Sequence, residues 1–358
     1  MTMRTRISML TPKPTIKTRI CMLSDTHTST PHPPTSSHAY RHPLPKADIL
    51  LHAGDLTKVG YRTEHETTLS LLTSASAELK LVIAGNHDIT LDAEHFISSG
   101  YKRHRRAERL ASESIIYTDD ESLQSELRDR TKDKNRTPDR KALAVYAASV
   151  RDLWTSDAAR KAGIVYLDEG VHSFTLSTGA IFTVYASGYT PEFYNWAFAY
   201  PRSQDRYNPV PGAENPVPDY PGVDIMLTHG PPLGILDSVP PDLNVGCEHL
   251  LRAVRRARPR VHLFGHIHEG WGARRGVWDA DADLEGGVRL EEVAIDEKEV
   301  VERRGAFVDV SSSSERPLRV GEETIFVNGS IMDVGYEARN APWVVDLELP
   351  VAQTSANI

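Results

Sequence analysis

The chain has 358 residues, enough for one large domain or two small ones. Its 40% hydrophobic and 25% charged content is the ordinary globular mixture, which excludes a disordered or fibrous chain. A formal charge of −8 argues against nucleic acid as a partner, apart from a local basic groove, and no apolar run reaches the length of a membrane span. The two cysteines, Cys21 in an apolar run and Cys247, do not make a disulfide framework.

Residues 1–18 read as a flexible tail. Through position 19 the chain carries Arg4, Arg6, Lys13, Lys17 and Arg19 and no acid, a bias shared with mitochondrial presequences. There is no hydrophobic signal core, so the cytoplasm is the expected location and the mitochondrion the minor alternative.

Five short apolar runs follow, each ending in polar residues, as expected of buried central strands in an α/β fold. Residues 20–23 lead into Asp25-Thr26-His27, and residues 48–51 into His52 and Gly54-Asp55. A helix is expected over 63–79. Residues 81–83 then lead into Gly85-Asn86-His87-Asp88. Residues 98–142 are charge-rich and read as an excursion from the domain. Their basic run Lys102-Arg103-His104-Arg105-Arg106 reads as a solvated helix face, with polyanion binding as the alternative.

Residues 139–161 look helical, with Leu143, Val145, Val150, Leu153 and Trp154 as core contacts. Residues 190–222, rich in Pro, Tyr and Asn, read as a long ordered loop, and Tyr189, Asn195 and Trp196 are candidate pocket residues there. Residues 224–227 end at Thr228-His229, a helix is expected over 247–257, and residues 261–264 end at Gly265-His266-Ile267-His268. Residues 272–320 read as a second excursion and 351–358 as a tail, leaving one domain over 19–350.

Alone, Asp25-Thr26-His27 and Gly54-Asp55 are common turns, whereas Gly85-Asn86-His87-Asp88 is more specific and Gly265-His266-Ile267-His268 sets two imidazoles at i and i+2 on one side of an extended chain. In order, and all at strand ends, the polar clusters supply Asp25, His27, Asp55, Asn86, His229, His266 and His268. In open α/β sheets ligands bind beyond the carboxyl ends of the strands. Carboxylate, amide and imidazole donors without thiolate suit a pair of hard or borderline cations rather than a structural zinc. Two such cations can clamp the charge that develops in phosphoester hydrolysis and ionise a water. A neighbouring histidine can then protonate the leaving oxygen. His52 and His262 lie inside strands and read as core or supporting residues.

The blocks D-x-H, G-D, G-N-H-D, a lone strand-end His and G-H-x-H resemble the calcineurin-like metallophosphoesterase superfamily across residues 20–268. The flanking sequence is similar to the metallophosphoesterase-domain-containing branch. It includes the run from Leu227 to Asp237, the run from Phe264 to Gly272, Pro191-Glu192-Phe193-Tyr194-Asn195-Trp196 and Val327-Asn328-Gly329-Ser330.

The resemblance implies a four-layer α-β-β-α sandwich of two mixed sheets flanked by helices. It implies one metal on Asp25, His27, Asp55 and His268, and a second on Asp55, Asn86, His229 and His266, with Asp55 bridging. His87 would be the general acid and Asp88 its orienting partner. The implied activity is a phosphodiesterase using a two-metal-activated hydroxide on a small-molecule phosphate ester, cyclic nucleotides included. Mn is the favoured metal, with Fe, Zn, Ni, Co or Mg as alternatives. A phosphomonoesterase and a non-catalytic scaffold are the competing readings. Oligomeric state is not implied.

Overall fold

The computed structural model describes residues 14–104, 139–278 and 287–352. Two mixed sheets carry the fold. The first holds β1 (Thr15–Leu23), β2 (Ile49–His52), β3 (Leu79–Val82), β4 (Ile164–Tyr166), β15 (Ala306–Asp309) and β17 (Trp343–Pro350), in the order β15-β17-β1-β2-β3-β4. The second holds β5 (Gly170–Thr175), β6 (Ile181–Ser187), β9 (Ile225–Thr228), β12 (Val261–Phe264), β13 (Gly272–Trp278), β14 (Val288–Glu292) and β16 (Glu323–Asn328), in the order β14-β13-β16-β12-β9-β6-β5. Two small ladders lie in the loops after β6 and β9: β7 (Thr190–Pro191) with β8 (Ala199–Tyr200), and β10 (Ser238–Val239) with β11 (Leu243–Asn244).

The four-layer arrangement follows from side-chain parity. Successive strand residues point to opposite faces. Ile20, Met22, Ile49, Leu51 and Leu81 of the first sheet meet Ile225, Leu227, Val261, Leu263, Ile325 and Val327 of the second in one core. The alternate residues Cys21, Leu23, Leu50 and Val82 cluster with Leu71, Leu72, Val150 and Trp154. On the far side Tyr185, Met226, Phe264 and Phe326 cluster with Leu250, Ala253, Val254 and Ala257. Each large aliphatic chain so buried stabilises the fold by about 2 kcal/mol.

The helices supplying the outer layers are α1 (Arg62–Ser74), α2 (Ala93–His95), α3 (Arg140–Thr155), α4 (Asp157–Lys161), α5 (Glu248–Ala257) and α6 (Glu297–Arg303). Of these, α1 stops short of the expected residue 79. The amides of Glu78 and Leu79 turn to the Asp48 carbonyl, and Leu79 pairs with Ile49 to start β3. Asp139 caps α3, whose buried face is Ala147, Val150 and Trp154. Val145, expected in the core, is 58% exposed because it falls on the opposite side of that helix.

Three boundaries differ from expectation. β1 begins at Thr15 and pairs with Pro350 of β17, so the strand claims part of the presumed tail; residues 1–13 and 353–358 lie outside the described residues. Residues 272–320, expected as an excursion, supply strands among the described residues: β13 and β14 extend the second sheet and β15 edges the first, while residues 279–286 lie outside the described residues. Their polar appearance has a local cause, since Arg275 is buried inside β13 against Glu323 at 2.7 Å. Most of 98–142 lies outside the described residues, but Arg103 and His104, expected on a solvated face, turn inward.

Candidate metal centre

Strands β1 to β4 run parallel, as do β6, β9, β12 and β16. The carboxyl ends of each set therefore share an edge. Ser24 ties the two edges together: its amide donates to the Gly329 carbonyl at 2.8 Å and its carbonyl accepts from Ile331 at 2.9 Å. All seven expected ligands converge there.

The turns that present them are tight. Asp25, His27, Asp55 and His266 have φ of 51°, 41°, 53° and 66°, left-handed conformations costing about 1 kcal/mol or more apiece for non-glycine residues. Backbone bonds hold these positions: Asp25 N–H to Gly54 O at 2.9 Å and His27 N–H to Asp55 O at 3.0 Å. The His266 amide lies 3.1 and 3.0 Å from the two Asp25 carboxylate oxygens. Glycines allow the close approach. A Cβ on Gly85 would lie 2.3 Å from Asp55 Oδ1, and one on Gly265 would lie 2.0 Å from Asp25 Oδ2.

Three imidazoles are oriented in one way. His27 Nδ1 lies 2.9 Å from Thr57 O, His229 Nδ1 2.8 Å from Ala53 O, and His268 Nδ1 3.3 Å from Asp333 O. A carbonyl only accepts, so each Nδ1 carries the proton and each Nε2 faces a carboxylate. The Nε2 distances are 3.6 Å (His27 to Asp55 Oδ2), 3.4 Å (His229 to Asp55 Oδ1) and 3.5 Å (His268 to Asp25 Oδ1). These exceed good hydrogen bonds and match the spacing of two ligands that share a cation about 2.1 Å away. Among the described residues, Asp25 groups with His27 and His268, and Asp55 with His27 and His87 and again with Asp25 and His229, as sets able to hold an ion. Asp55 is central because its two oxygens face different histidines.

Charge agrees with that geometry. Burial would raise both carboxyls, but His268 and His229 hold Asp25 down at about 2. His229, His87 and His27 bring Asp55 well below the usual carboxylate range. Two ionised carboxylates, each at most 2% exposed, require positive charge beside them. Against burial, Asp55 lifts His229 to about 9. Burial drives His27 to about 4 and His266 to about 3, keeping both imidazoles neutral and able to coordinate. His27 Nε2 is buried without a hydrogen-bond partner, the state of a nitrogen reserved for a metal. The residues fit a divalent cation pair.

His87 stands beside the cluster. Its amide donates to Asp55 Oδ1 at 2.8 Å and its Nδ1 to the Lys58 carbonyl at 2.7 Å. The expected pairing of Asp88 with the His87 ring does not form. The Asp88 carboxylate is fully buried and accepts from the amides of Gly85, Leu56 and Thr57 and from the Thr57 hydroxyl. It joins the Gly54-Asp55 and Gly85-Asn86 turns, and burial together with the Asp55 charge pushes it up to about 7. His52 and His262 support from behind, through Thr26 Oγ1 at 3.0 Å and Thr228 Oγ1 at 2.8 Å. The Asn328 amide donates to Ile267 O at 2.8 Å and steadies the Gly265–His268 turn.

A pocket of about 400 Å³ opens over this floor, with Phe193, Trp196, Arg202, Glu269 and Tyr336 among its walls. Trp196 lies where expected. Tyr189 and Asn195, expected in the pocket, are not among its walls and hold neighbouring side chains instead. The Tyr189 ring carries the Arg206 guanidinium at 3.6 Å, and Asn195 offers its carbonyl to Arg103. Tyr336, 4.9 Å from His268 and 5.5 Å from His27 between ring centres, and Arg202 were not anticipated. A Tyr in a Gly-containing turn and an Arg in a Pro-rich loop carry no pattern that points inward.

The chain belongs to the calcineurin-like phosphoesterase family, whose profile matches residues 18–270. Metallophosphoesterase domain-containing protein 1 of Homo sapiens and of Mus musculus are each 31% identical over 344 residues, 95% of this chain and 74% of theirs. A UPF0046 protein of Caenorhabditis elegans is 32% identical over 233 residues, 64% of this chain and 48% of its own. Among solved structures, a purple acid phosphatase from yellow lupin (Lupinus luteus) seeds aligns at 10% identity and a TM-score of 0.33, covering 89% of this chain and 45% of that one. Among the described residues no helix is long and apolar enough to cross a membrane.

Proposed function

We propose that this chain is a metal-dependent phosphodiesterase that hydrolyses a small phosphate diester, with cyclic nucleotides in its substrate range, and that it works in the cytoplasm. The reading rests on one observation: three histidines turn Nε2 toward two buried carboxylates at the floor of a pocket of about 400 Å³. That volume exceeds what a phosphate alone fills and accommodates the second ester substituent.

Asp25, His27, Asp55 and His268 would hold one cation and Asp55, Asn86, His229 and His266 the other. The mixed oxygen and imidazole donors favour Mn and tolerate Fe, Zn, Ni, Co or Mg. Bound there, the cation pair supplies Lewis acidity to water and to the phosphoryl oxygens. His87 acts on the other side of the reaction. As the new P–O bond forms and the bond to the ester oxygen breaks, protonated His87 gives its Nε2 proton to that oxygen. The Lys58 carbonyl keeps Nδ1–H engaged, so Nε2 is the nitrogen left to face the ester oxygen. Asp88 sets the distance between the turns carrying Asp55 and Asn86 rather than the tautomer of His87.

The test is turnover of an aryl phosphodiester beside the matching monoester, by metal-stripped protein reloaded with Mn. Dominant diester hydrolysis that is lost in His87→Ala supports the proposal. Dominant monoester hydrolysis assigns a phosphatase, and no turnover of either by metal-loaded protein points to a narrowly selective pocket or a scaffold.

A further inference from the structure

The helical segment running from α2 through the π-helical stretch Phe96–Gly100 carries Arg103 and His104, the last described residues before position 139. The Arg103 guanidinium lies 3.4 Å from the centre of the Trp196 ring. Its Nη2 donates to the carbonyls of Tyr194 at 2.6 Å and Asn195 at 3.2 Å. Those two residues have φ of 48° and 52°, a strained turn that brings both carbonyls to one guanidinium. The other face of Trp196 stacks on the His87 imidazole, with ring centres 3.9 Å apart and an interplanar angle of 25°.

His104 acts on the opposite flank. Its Nε2 lies 2.7 Å from the carbonyl of Val59, next in the chain to Lys58, whose carbonyl takes the His87 Nδ1 proton. The ring is packed against Tyr61 and Phe96, and the Tyr61 hydroxyl donates to the His104 carbonyl at 3.0 Å.

We propose that Arg103 and His104 form a clamp, with Trp196 as its plate, that fixes the orientation of the His87 ring. The physical need is specific. Rotation of an imidazole about its last torsion is soft, and a single hydrogen bond to Lys58 leaves the ring free to swing. A flat ring stacked on its face removes that freedom. Trp196 stands at the half-exposed rim of the pocket, where apolar burial is incomplete, and a cation on its outer face secures it. Arg103 is therefore a positioning residue, reaching the reaction only through Trp196 and His87. The segment that opens the 98–142 excursion becomes part of the catalytic apparatus. The catalytic consequence rests on the reading of His87 as proton donor.

The experiment uses the full Mn-loaded chain and two diesters that share a phenyl group. Phenyl para-nitrophenyl phosphate releases an oxygen that needs no proton; diphenyl phosphate releases one that does. Arg103→Ala is expected to lower kcat on diphenyl phosphate about tenfold, part of the full general-acid contribution, while kcat on the nitrophenyl ester stays within about twofold. Arg103→Lys, which keeps the cation and loses the fork, should fall between. Equal loss on both esters, or no loss on either, overturns the clamp. A second readout is independent of turnover. In long-range proton–nitrogen spectra the His87 ring signals, assigned by their disappearance in His87→Ala, should shift and broaden in Arg103→Ala. Unchanged signals overturn the proposal for any substrate. A His87→Ala variant without leaving-group selectivity removes the proton-donor reading instead and leaves the spectra to judge the clamp.

Discussion

The floor and the walls of the pocket are built in different ways. Floor residues Asp25, His27, Asp55, Asn86, His229 and His266 sit within a few residues of buried strands, are held by backbone bonds, and are tied across the two sheets through Ser24. The walls come from three loops, around Phe193, Arg202 and Tyr336, and are held by rim contacts. Arg202, for example, is tied to the carbonyls of Val245 and Gly246, both at 2.9 Å. Phe193 is 59% and Tyr336 60% exposed. The difference teaches how the site divides: under the proposed function the tightly held floor sets the chemistry, and the loosely held walls set what the ester carries.

That contrast can be broken most directly at its centre. Asp55→Asn should release metal from both halves of the floor, weakening affinity by more than the roughly 100-fold seen when only a supporting contact is lost, and turnover should vanish with it. Metal content by elemental analysis checks this, and a variant retaining two equivalents removes Asp55 as the bridge. His87→Ala should keep its metals and lose about 10²- to 10⁴-fold in kcat; an unchanged rate would free His87 of any role in proton transfer.

At the walls, Phe193→Ala or Tyr336→Ala should cost about 1 kcal/mol of binding, a KM raised about fivefold with kcat near wild type. A fall in kcat alone would erase the distinction between floor and wall.

The last prediction concerns pH and leaves the pocket itself untouched. Burial lowers His65 and His262 to about 3, so both stay neutral in the folded chain, whereas in the unfolded chain they take up protons below about 6.5. The unfolded state then binds more protons. The contribution of these two histidines to stability is constant above that pH and declines as pH falls from about 6.5 toward 3, by up to about 1.4 kcal/mol per unit for each, while Asp88, raised to about 7, acts in the opposite sense. Urea midpoints at neutral and mildly acidic pH test the sign: the wild-type chain should lose more on acidification than His262→Asn, and an equal or smaller loss contradicts it.

Legibility in the sequence followed the same division. The five central strands were readable because they are short, continuous apolar runs, and their polar ends marked the floor. Helix α5 was readable within a residue of its start. β13, β14 and β15 were not, because strands toward the edges of a sheet need no continuous apolar run and Arg275 interrupts the pattern with a charge neutralised by a glutamate 48 residues on. Asp88 was expected to orient His87 because the two are adjacent, but its actual partners include the turn at Leu56 and Thr57, 32 and 31 residues away.

The sequence alone determined the donor chemistry of the floor, since residue type and position at a strand end are local properties that survive in one dimension. Only the tertiary structure decided which nitrogen each histidine presents, that Lys58 rather than Asp88 orients His87, and that Arg103 reaches Trp196. Those outcomes depend on carbonyls and rings brought together from distant positions. Backbone carbonyls are common to all residues, so nothing in the order of side chains announces which of them will become the partner.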